Sequence, residues 1–318
     1  MGEDERVLLL SRVLAASAPG VRIGIGDDAA VLDLGDERLV WTVDEQVEDV
    51  HFRRNLLSLE DIGWRSLMSA ASDVCAMGAQ PWCVLAALVL PRSITDDDLE
   101  RLASGQAEAA RVLEAPVVGG NLSRGERLSI ATTVLGKLHK GEAPITRSGA
   151  RAGDAVWLVG SVGLAAAGLA ALEMGAESPD AVLAWRRPLA RSAAGRTMQG
   201  RAHAAIDISD GLGRDLGRIA TMSNVALIID ADQLMEACAD LTTAAGLIGR
   251  DPLQLALGGG EDYAIACTSA EPIEGFRRIG EVTPGDGVHL RKDGGMRPVD
   301  ALGWDHFEKG PLRGPSGG

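Results

Sequence analysis

The 318-residue chain is short of positive charge: 31 Lys and Arg stand against 45 Asp and Glu, a formal net charge of −14. This argues against the broad basic face on which nonspecific nucleic-acid binding depends, and equally against an anionic membrane surface. Aromatic residues are few, with three Phe, one Tyr and six Trp, so the core must be mostly Ala, Val, Leu and Ile. The four cysteines, Cys75, Cys83, Cys238 and Cys267, form no CxxC pair and no zinc spacing, and read as reduced, mostly buried thiols. No uninterrupted apolar run reaches membrane-spanning length. The opening MGEDERVLLLSRVLAAS is acidic ahead of its apolar stretch, unlike a signal peptide, and the expected compartment is the cytoplasm. Also missing are a GxxxxGK[ST] loop, the HRD and DFG motifs of protein kinases, and HExxH. Gly24-Ile25-Gly26-Asp27-Asp28-Ala29 fits GxGxxA, but two aspartates at that place would repel a pyrophosphate.

What is present is a chain of 46% hydrophobic and 24% charged residues, suited to about two folded domains. Apolar β-rich runs alternate with helical ones. Strands are expected at 21–26, 39–44, 82–90, 115–120 and 129–138, and again at 155–160, 204–209, 225–230 and up to Thr268. Ser58 and Thr95 stand where they would cap helices running to about Met77 and Leu113. The polar stretch 139–154 is the best domain boundary, and the class is mixed α and β. The expected division is 1–140, 141–310 and a Gly- and Pro-rich tail, 311–318.

Aspartates recur at the ends of apolar strands beside glycines: Asp27, Asp28, Asp44, Asp207 and Asp210. Asp73 sits inside a helix whose neighbours are largely apolar. A buried carboxylate is costly unless it is paired or binds a metal. Taken singly, Asp27, Asp28 and Asp210 also fit ordinary turn or cap residues. As a set, strand-end carboxylates converging on one cleft suit Mg²⁺, which takes oxygen ligands from a few carboxylates and from substrate phosphates.

Eight segments, in order from residue 24 to residue 307, together resemble the thiamine-monophosphate kinase family. They are GIGDDAA at 24–30, VDEQVEDVHF at 43–52, SDVCAMGA at 72–79, GGNLSRG at 119–125, TRSGA at 146–150, DISDGL at 207–212, GGEDY at 259–263 and GWDHF at 303–307. The resemblance implies the two-domain α+β fold shared with aminoimidazole ribonucleotide synthetase. In that fold an N-terminal α/β domain forms a β-barrel across a homodimer interface, a C-terminal α+β domain packs on it, and ATP and metals occupy the cleft between them. It implies ATP-dependent phosphorylation of thiamine monophosphate to thiamine diphosphate, with several Mg²⁺ ions and no general base. By position, Asp28, Asp44, Asp73, Asp207 and Asp210 match magnesium ligands. Thr42 and Val43 match positions that approach metal, Val43 through its carbonyl. Gly120, Asn121, Arg147 and Ser209 match ATP contacts. His51, Glu261 and Trp304 match contacts to thiamine monophosphate.

The chain departs from the family pattern at Asn121, where an aspartate is usual; the change removes a charge from one metal site while leaving an amide oxygen that could coordinate. Two other readings stay open. Another enzyme of the superfamily would use ATP to activate an amide oxygen, but GEDY at 260–263 and GWDHF at 303–307 favour the kinase. A degenerate member would bind nucleotide or thiamine phosphate without turnover.

Overall fold

The computed structural model describes residues 2–14, 18–299, 302–305 and 307. Helix α1 (Glu3–Val13) precedes a six-stranded sheet built from β1 (Val21–Ile23), β2 (Ala30–Leu34), β3 (Glu37–Val47), β4 (Gln80–Leu90), β5 (Val117–Arg124) and β6 (Ser129–Leu138). Its order is β1-β2-β3-β6-β4-β5. All neighbours are antiparallel except β4 and β5, which are parallel and joined by a crossover helix. The sheet has two free edges, β1 and β5, so the chain by itself closes no barrel.

Two helices, α2 (Leu59–Ala76) and α3 (Asp96–Leu113), cover one face. Both start where the sequence signals: the Ser58 side chain accepts from the Asp61 amide, and Thr95 forms a capping box with Asp98. They cross at glycines. A β-carbon on Gly105 would lie 1.9 Å from the Glu60 carbonyl, and one on Gly63 2.1 Å from that of Leu102. Every α2 residue is buried except Glu60, Asp61 and Asp73.

No helix or strand occupies 139–154. The segment threads between the halves: the Ile145 amide donates to the Met77 carbonyl, and the Ala205 amide to that of Thr146. A seven-stranded sheet follows, of β7 (Ala155–Val159), β8 (Ala204–Ile208), β9 (Ala226–Asp230), β10 (Ala264–Ser269), β11 (Arg277–Thr283), β12 (Val288–Lys292) and β13 (Gly295–Pro298). Its order is β13-β12-β9-β11-β7-β10-β8. Seven helices accompany it: α4 (Leu164–Met174), α5 (Pro179–Arg186), α6 (Ser192–Met198), α7 (Leu212–Ser223), α8 (Ala231–Ala237), α9 (Ala239–Leu247) and α10 (Pro252–Gly258). The largest core lies on one side of this sheet, through Ile206, Leu216, Leu227 and Leu257 among others. A second core on the other side joins Trp157, Ala205, Ile265 and Cys267 to Cys75 and Ala76 of α2. Helix α2 is thus wedged between the two sheets.

Several strands run longer than the sequence suggests, β1 ends at Ile23 short of the expected 21–26, and β2, β11 to β13, α5, α6 and α8 to α10 carry too little local pattern to stand among the expected elements. The four cysteines are free thiols. Among the described residues no helix is long and apolar enough to cross a membrane. The expected tail, 311–318, lies outside the described residues.

Candidate active site

Three of the expected carboxylates meet. Asp28 comes from the loop entering β2, Asp73 from α2 and Asp207 from β8, and one oxygen of each lies within 4.8 Å of the others. They arrive from both sheets and from the helix wedged between them. Asp28 and Asp207 are buried, while Asp73 keeps partial access to the cleft. Burial pushes the Asp28 carboxyl up to about 6, against the neighbouring Arg147 and with help from Asp27. Burial drives Asp73 well above the usual carboxylate range, and the charges of Asp207 and Asp28 add to it. Asp207 is raised in the same direction by burial and then by Asp28 and Asp215. Three carboxylates this close repel one another when ionised, and a bound cation would relieve that repulsion.

Part of that charge is met within the chain. Arg147 donates from Nε (2.9 Å) and Nη2 (2.6 Å) to Asp28 Oδ1. Asp28 Oδ2 is buried with no hydrogen-bond partner. Asp27 serves the backbone, accepting from the amides of Asp28 and Arg147 and fixing the linker beside the cluster. Thr42 donates its hydroxyl to Asp73 Oδ2 at 2.6 Å.

Strand β3 supplies the rim. Thr42, Asp44 and the buried Gln46 share the face turned to α2, and the Asp44 charge raises Asp73 further. β2 pairs with β3 only as far as Trp41, so the edge beyond is open. The Val47 amide on that edge donates to His51 Nδ1. By the two-residue alternation, the backbone groups of Val43 point to the same open edge. The Val43 side chain is exposed on the far face.

The β8–α7 turn carries Ser209 and Asp210. Asp215, buried and pushed up to about 7 by that burial, accepts from the amides of Ser209, Asp210 and Gly211 through Oδ2. Arg218 bridges Asp215 and Asp210, each at 2.7 Å. Asp210 is therefore held in an ion pair at the border of the cluster. Trp304 is exposed, and its amide donates to the Asp210 carbonyl at 2.9 Å.

Glu261 begins the return into β10 with φ +60°. Its amide donates to the Ser209 carbonyl, and its carboxylate accepts from Arg65 and from the Trp185 indole at 3.0 Å. Arg65 is wholly buried, also donates to the Trp185 carbonyl, and lies over the Trp185 ring. Tyr263 is buried, its amide donates to the Ile208 carbonyl, and burial drives its phenol above the usual range, with the Glu261 charge adding to it.

Gly120 and Asn121 stand apart. Register aligns Asn121 with Ala87, Ala131 and Glu45, three strand spacings or roughly 14 Å from β3 and on the face opposite Asp44. A hollow of about 310 Å³ opens along β5 on the α3 side, lined by Ala86, Leu88, Gln106, Val117 and the strand from Gly119 to Leu122. A β-carbon at Gly120 would meet the Ala86 carbonyl at 1.8 Å.

Sequence reasoning missed Arg65, Tyr263, Asp215 and Arg218. Arg65 gave the same signal that marked Asp73, a charge inside an apolar helix, two turns away on a similar face. Tyr263 stands in the GGEDY segment with nothing to mark its own role, and Asp215 and Arg218 gave no signal.

Comparison with known proteins places the chain among relatives. Residues 26–138 match the AIR synthase related protein N-terminal domain, and residues 151–293 the C-terminal domain of the same name. The chain is 34% identical over 316 residues to the thiamine-monophosphate kinase of Aquifex aeolicus, covering 96% of this chain and 98% of that one. It is 34% identical to the Mycobacterium tuberculosis enzyme of the same name, over 93% and 89%. Among solved structures it is similar to AaThiL complexed with AMPPCP and TMP, with a TM-score of 0.87 and 32% identity over 96% and 97% of the two chains. The hydrogenase maturation protein HypE shares the fold at a TM-score of 0.70 and 21% identity, over 95% and 98%.

Proposed function

We propose a function from one premise: the chain belongs to the thiamine-monophosphate kinase family. It is an ATP-dependent phosphotransferase that converts thiamine monophosphate to thiamine diphosphate. The observation that carries this reading is the meeting of Asp28, Asp73 and Asp207 within 4.8 Å, with one Asp28 oxygen buried and unpartnered.

The acceptor is a phosphate monoester whose second pKa is near 6, so its attacking oxygen is already largely deprotonated at neutral pH. No side chain has to remove a proton. What the site must supply is placement and charge compensation between two polyanions.

The donor set fits Mg²⁺, since it is all oxygen, closely spaced and excess in negative charge. Asp28, Asp73 and Asp207 would hold an ion, with Thr42, Asp44 and the Val43 carbonyl as neighbouring donors. A divalent ion bound there supplies neutralising charge between the donor and acceptor phosphates. Asp210 is a further metal position at the border of the cluster. An ion held by Asn121 would be a separate one, given its distance from the aspartates.

Arg147 lies beside the cluster, placed to accompany nucleotide phosphate. Gly120 and Asn121 line the hollow on β5, a span from the cluster that an extended nucleoside triphosphate covers. Ser209 completes the nucleotide side. On the acceptor side, Glu261 presents a carboxylate to the cationic thiazolium or its aminopyrimidine. Trp304 offers an exposed ring for stacking, and His51 stands at the β3 end.

A homodimer is the assembly we infer. The face of the six-stranded sheet away from α2 and α3 exposes the large apolar side chains Trp41, Val43, Trp82 and Leu85, the kind of surface that marks an interface. Two such faces packed together would give the barrel that neither chain closes alone.

The direct test incubates the purified protein with ATP, Mg²⁺ and thiamine monophosphate and identifies the product by chromatography, with thiamine as a control acceptor. Thiamine diphosphate from the monophosphate alone is the expected result. No product, or equal use of thiamine, overturns the reading.

A further inference from the structure

The Glu261 carboxylate is clamped on both oxygens. Arg65 Nη2 donates to Oε1 at 2.5 Å, and the Trp185 indole donates to Oε2 at 3.0 Å. The three side chains come from separate places: Arg65 from α2, Trp185 from α5 and Glu261 from the turn into β10. Arg65 and Trp185 are buried, while the Glu261 side chain keeps 31% of its exposure. The clamp is therefore held from inside and leaves its carboxylate accessible.

The supports are themselves braced. Arg65 also donates to the Trp185 carbonyl and lies over the Trp185 ring. The end of α5 is tied to the N-terminal helices: Arg187 donates to Asp61 and to Glu108, each at 2.8 Å, and the Trp64 indole donates to the Pro188 carbonyl at 2.7 Å. Glu261 holds a left-handed backbone, φ +60°, uncommon for a residue with a β-carbon, and its amide is pinned to the Ser209 carbonyl at 2.7 Å. Buried partners that lock a side chain in this way are how a binding group is aimed.

The pairing also limits what Glu261 can recognise. Arg65 already offsets its charge, so the pair offers little net attraction to a cation. The carboxylate's remaining lone pairs are directed and suit an N–H donor. The thiazolium of thiamine monophosphate has no N–H, whereas the amino group of its pyrimidine does. Position agrees. Helix α2 carries Asp73 at the cluster and Arg65 eight residues earlier, about 12 Å along the helix axis. In the acceptor the thiazolium bears the phosphate arm, and the pyrimidine lies beyond it.

We propose that Arg65 and Trp185 are positioning residues that aim Glu261 at the amino group of the acceptor's pyrimidine, and so set a preference for an amino over an oxo substituent there. This deepens the functional reading above and rests on it.

The test compares kcat/KM for thiamine monophosphate and for oxythiamine monophosphate, whose pyrimidine carries an oxo group in place of the amino group. It uses the full-length wild type, Glu261→Gln, Trp185→Phe, Arg65→Lys and the double variant Trp185→Phe/Glu261→Gln. The wild type should prefer thiamine monophosphate by at least about 10-fold, the size of one hydrogen bond to a charged group. Glu261→Gln should lose most of that preference, and Trp185→Phe and Arg65→Lys part of it. The double variant should lose no more than Glu261→Gln alone, because both changes act through one carboxylate. A purely structural role would lower activity on both acceptors alike and leave their ratio unmoved. Should Arg65→Lys not fold, Trp185→Phe carries the test, since phenylalanine keeps a ring beside the guanidinium and removes the indole N–H. Equal use of the two acceptors by the wild type overturns the proposal, and so does a preference that Trp185→Phe and Arg65→Lys leave unchanged. Either result leaves the kinase reading intact. A wild type that forms no thiamine diphosphate removes the functional reading itself, and this inference with it.

Discussion

The six-stranded sheet is covered by α2 and α3 on one face and bare on the other, where Trp41, Val43, Trp82 and Leu85 are exposed. The seven-stranded sheet has apolar cores on both faces, and its strands β8 and β10 are buried along their whole length. One half of the molecule covers its sheet on both faces; the other leaves an apolar face uncovered. The difference locates the site. Helix α2 serves both halves at once, so a polar residue on it at the junction, Asp73, can meet Asp28 from one sheet and Asp207 from the other. The junction also tolerates charge that neither core would accept alone, because Arg147, Arg65 and Arg218 enter from three directions.

Breaking the junction should give the largest effect. Asp73→Asn keeps shape and volume but removes one charge of the three. Even outer-shell changes at metal sites cost roughly 10- to 100-fold, so kcat should fall by more than about 100-fold with the circular dichroism spectrum unchanged. A wild-type rate would remove Asp73 from the metal site. The bare face is next. If that face joins two copies, Leu85→Lys places a charge on it, and sedimentation velocity should show a wild-type dimer and a monomeric variant; a dimeric variant would mean that subunits meet elsewhere. Third, Gly105→Ala forces a β-carbon against the Glu60 carbonyl. Overpacking of this kind costs about 1–3 kcal/mol, to be read as a lowered denaturation midpoint. It also displaces α2, so activity should fall with stability.

A change of pH should shift stability least of all. Burial raises the folded-state pKa of Asp28 from 3.8 to about 6, and Asp73 and Asp207 move in the same direction. The folded state therefore holds its protons more tightly than the unfolded chain. The resulting stabilisation is complete below the unfolded value and is lost as pH rises through the folded one. Metal-free protein should lose a few degrees of Tm between about pH 4 and about pH 7. Added Mg²⁺ should raise Tm more at pH 8 than at pH 5, because protons and metal compete for the same oxygens. Equal stabilisation at both pH values would place the ion away from these carboxylates.

Much of this arrangement is legible in the sequence. Ser58 and Thr95 start their helices as their side chains dictate, and the alternation through 129–138 appears as an inward and outward pattern along β6. Asp73 stands out because a carboxylate in an apolar helix needs a reason, and the cluster supplies one. Other features depend on tertiary partners that local pattern does not report. The strand β2 is five residues long and contains Asp33, and α5 and α6 are short and of mixed polarity. Asp215 reads as an ordinary first-turn helix acid until the fold wraps three backbone amides around it. Asn121 matches a motif by position, yet pairing register sends it to the other face of the sheet from Asp44. Motifs report which residues a family keeps; which face each occupies follows from strand pairing alone.

Manganese binding followed by electron paramagnetic resonance tests the claim on which the rest stands, since Mn²⁺ takes the same oxygen ligands as Mg²⁺. Wild-type protein should remove free Mn²⁺ from solution without nucleotide, and Asp73→Asn and Asp207→Asn should each weaken that uptake by at least about 10-fold. Uptake in both variants equal to the wild type would contradict the account, because the three carboxylates would then not be gathered around an ion.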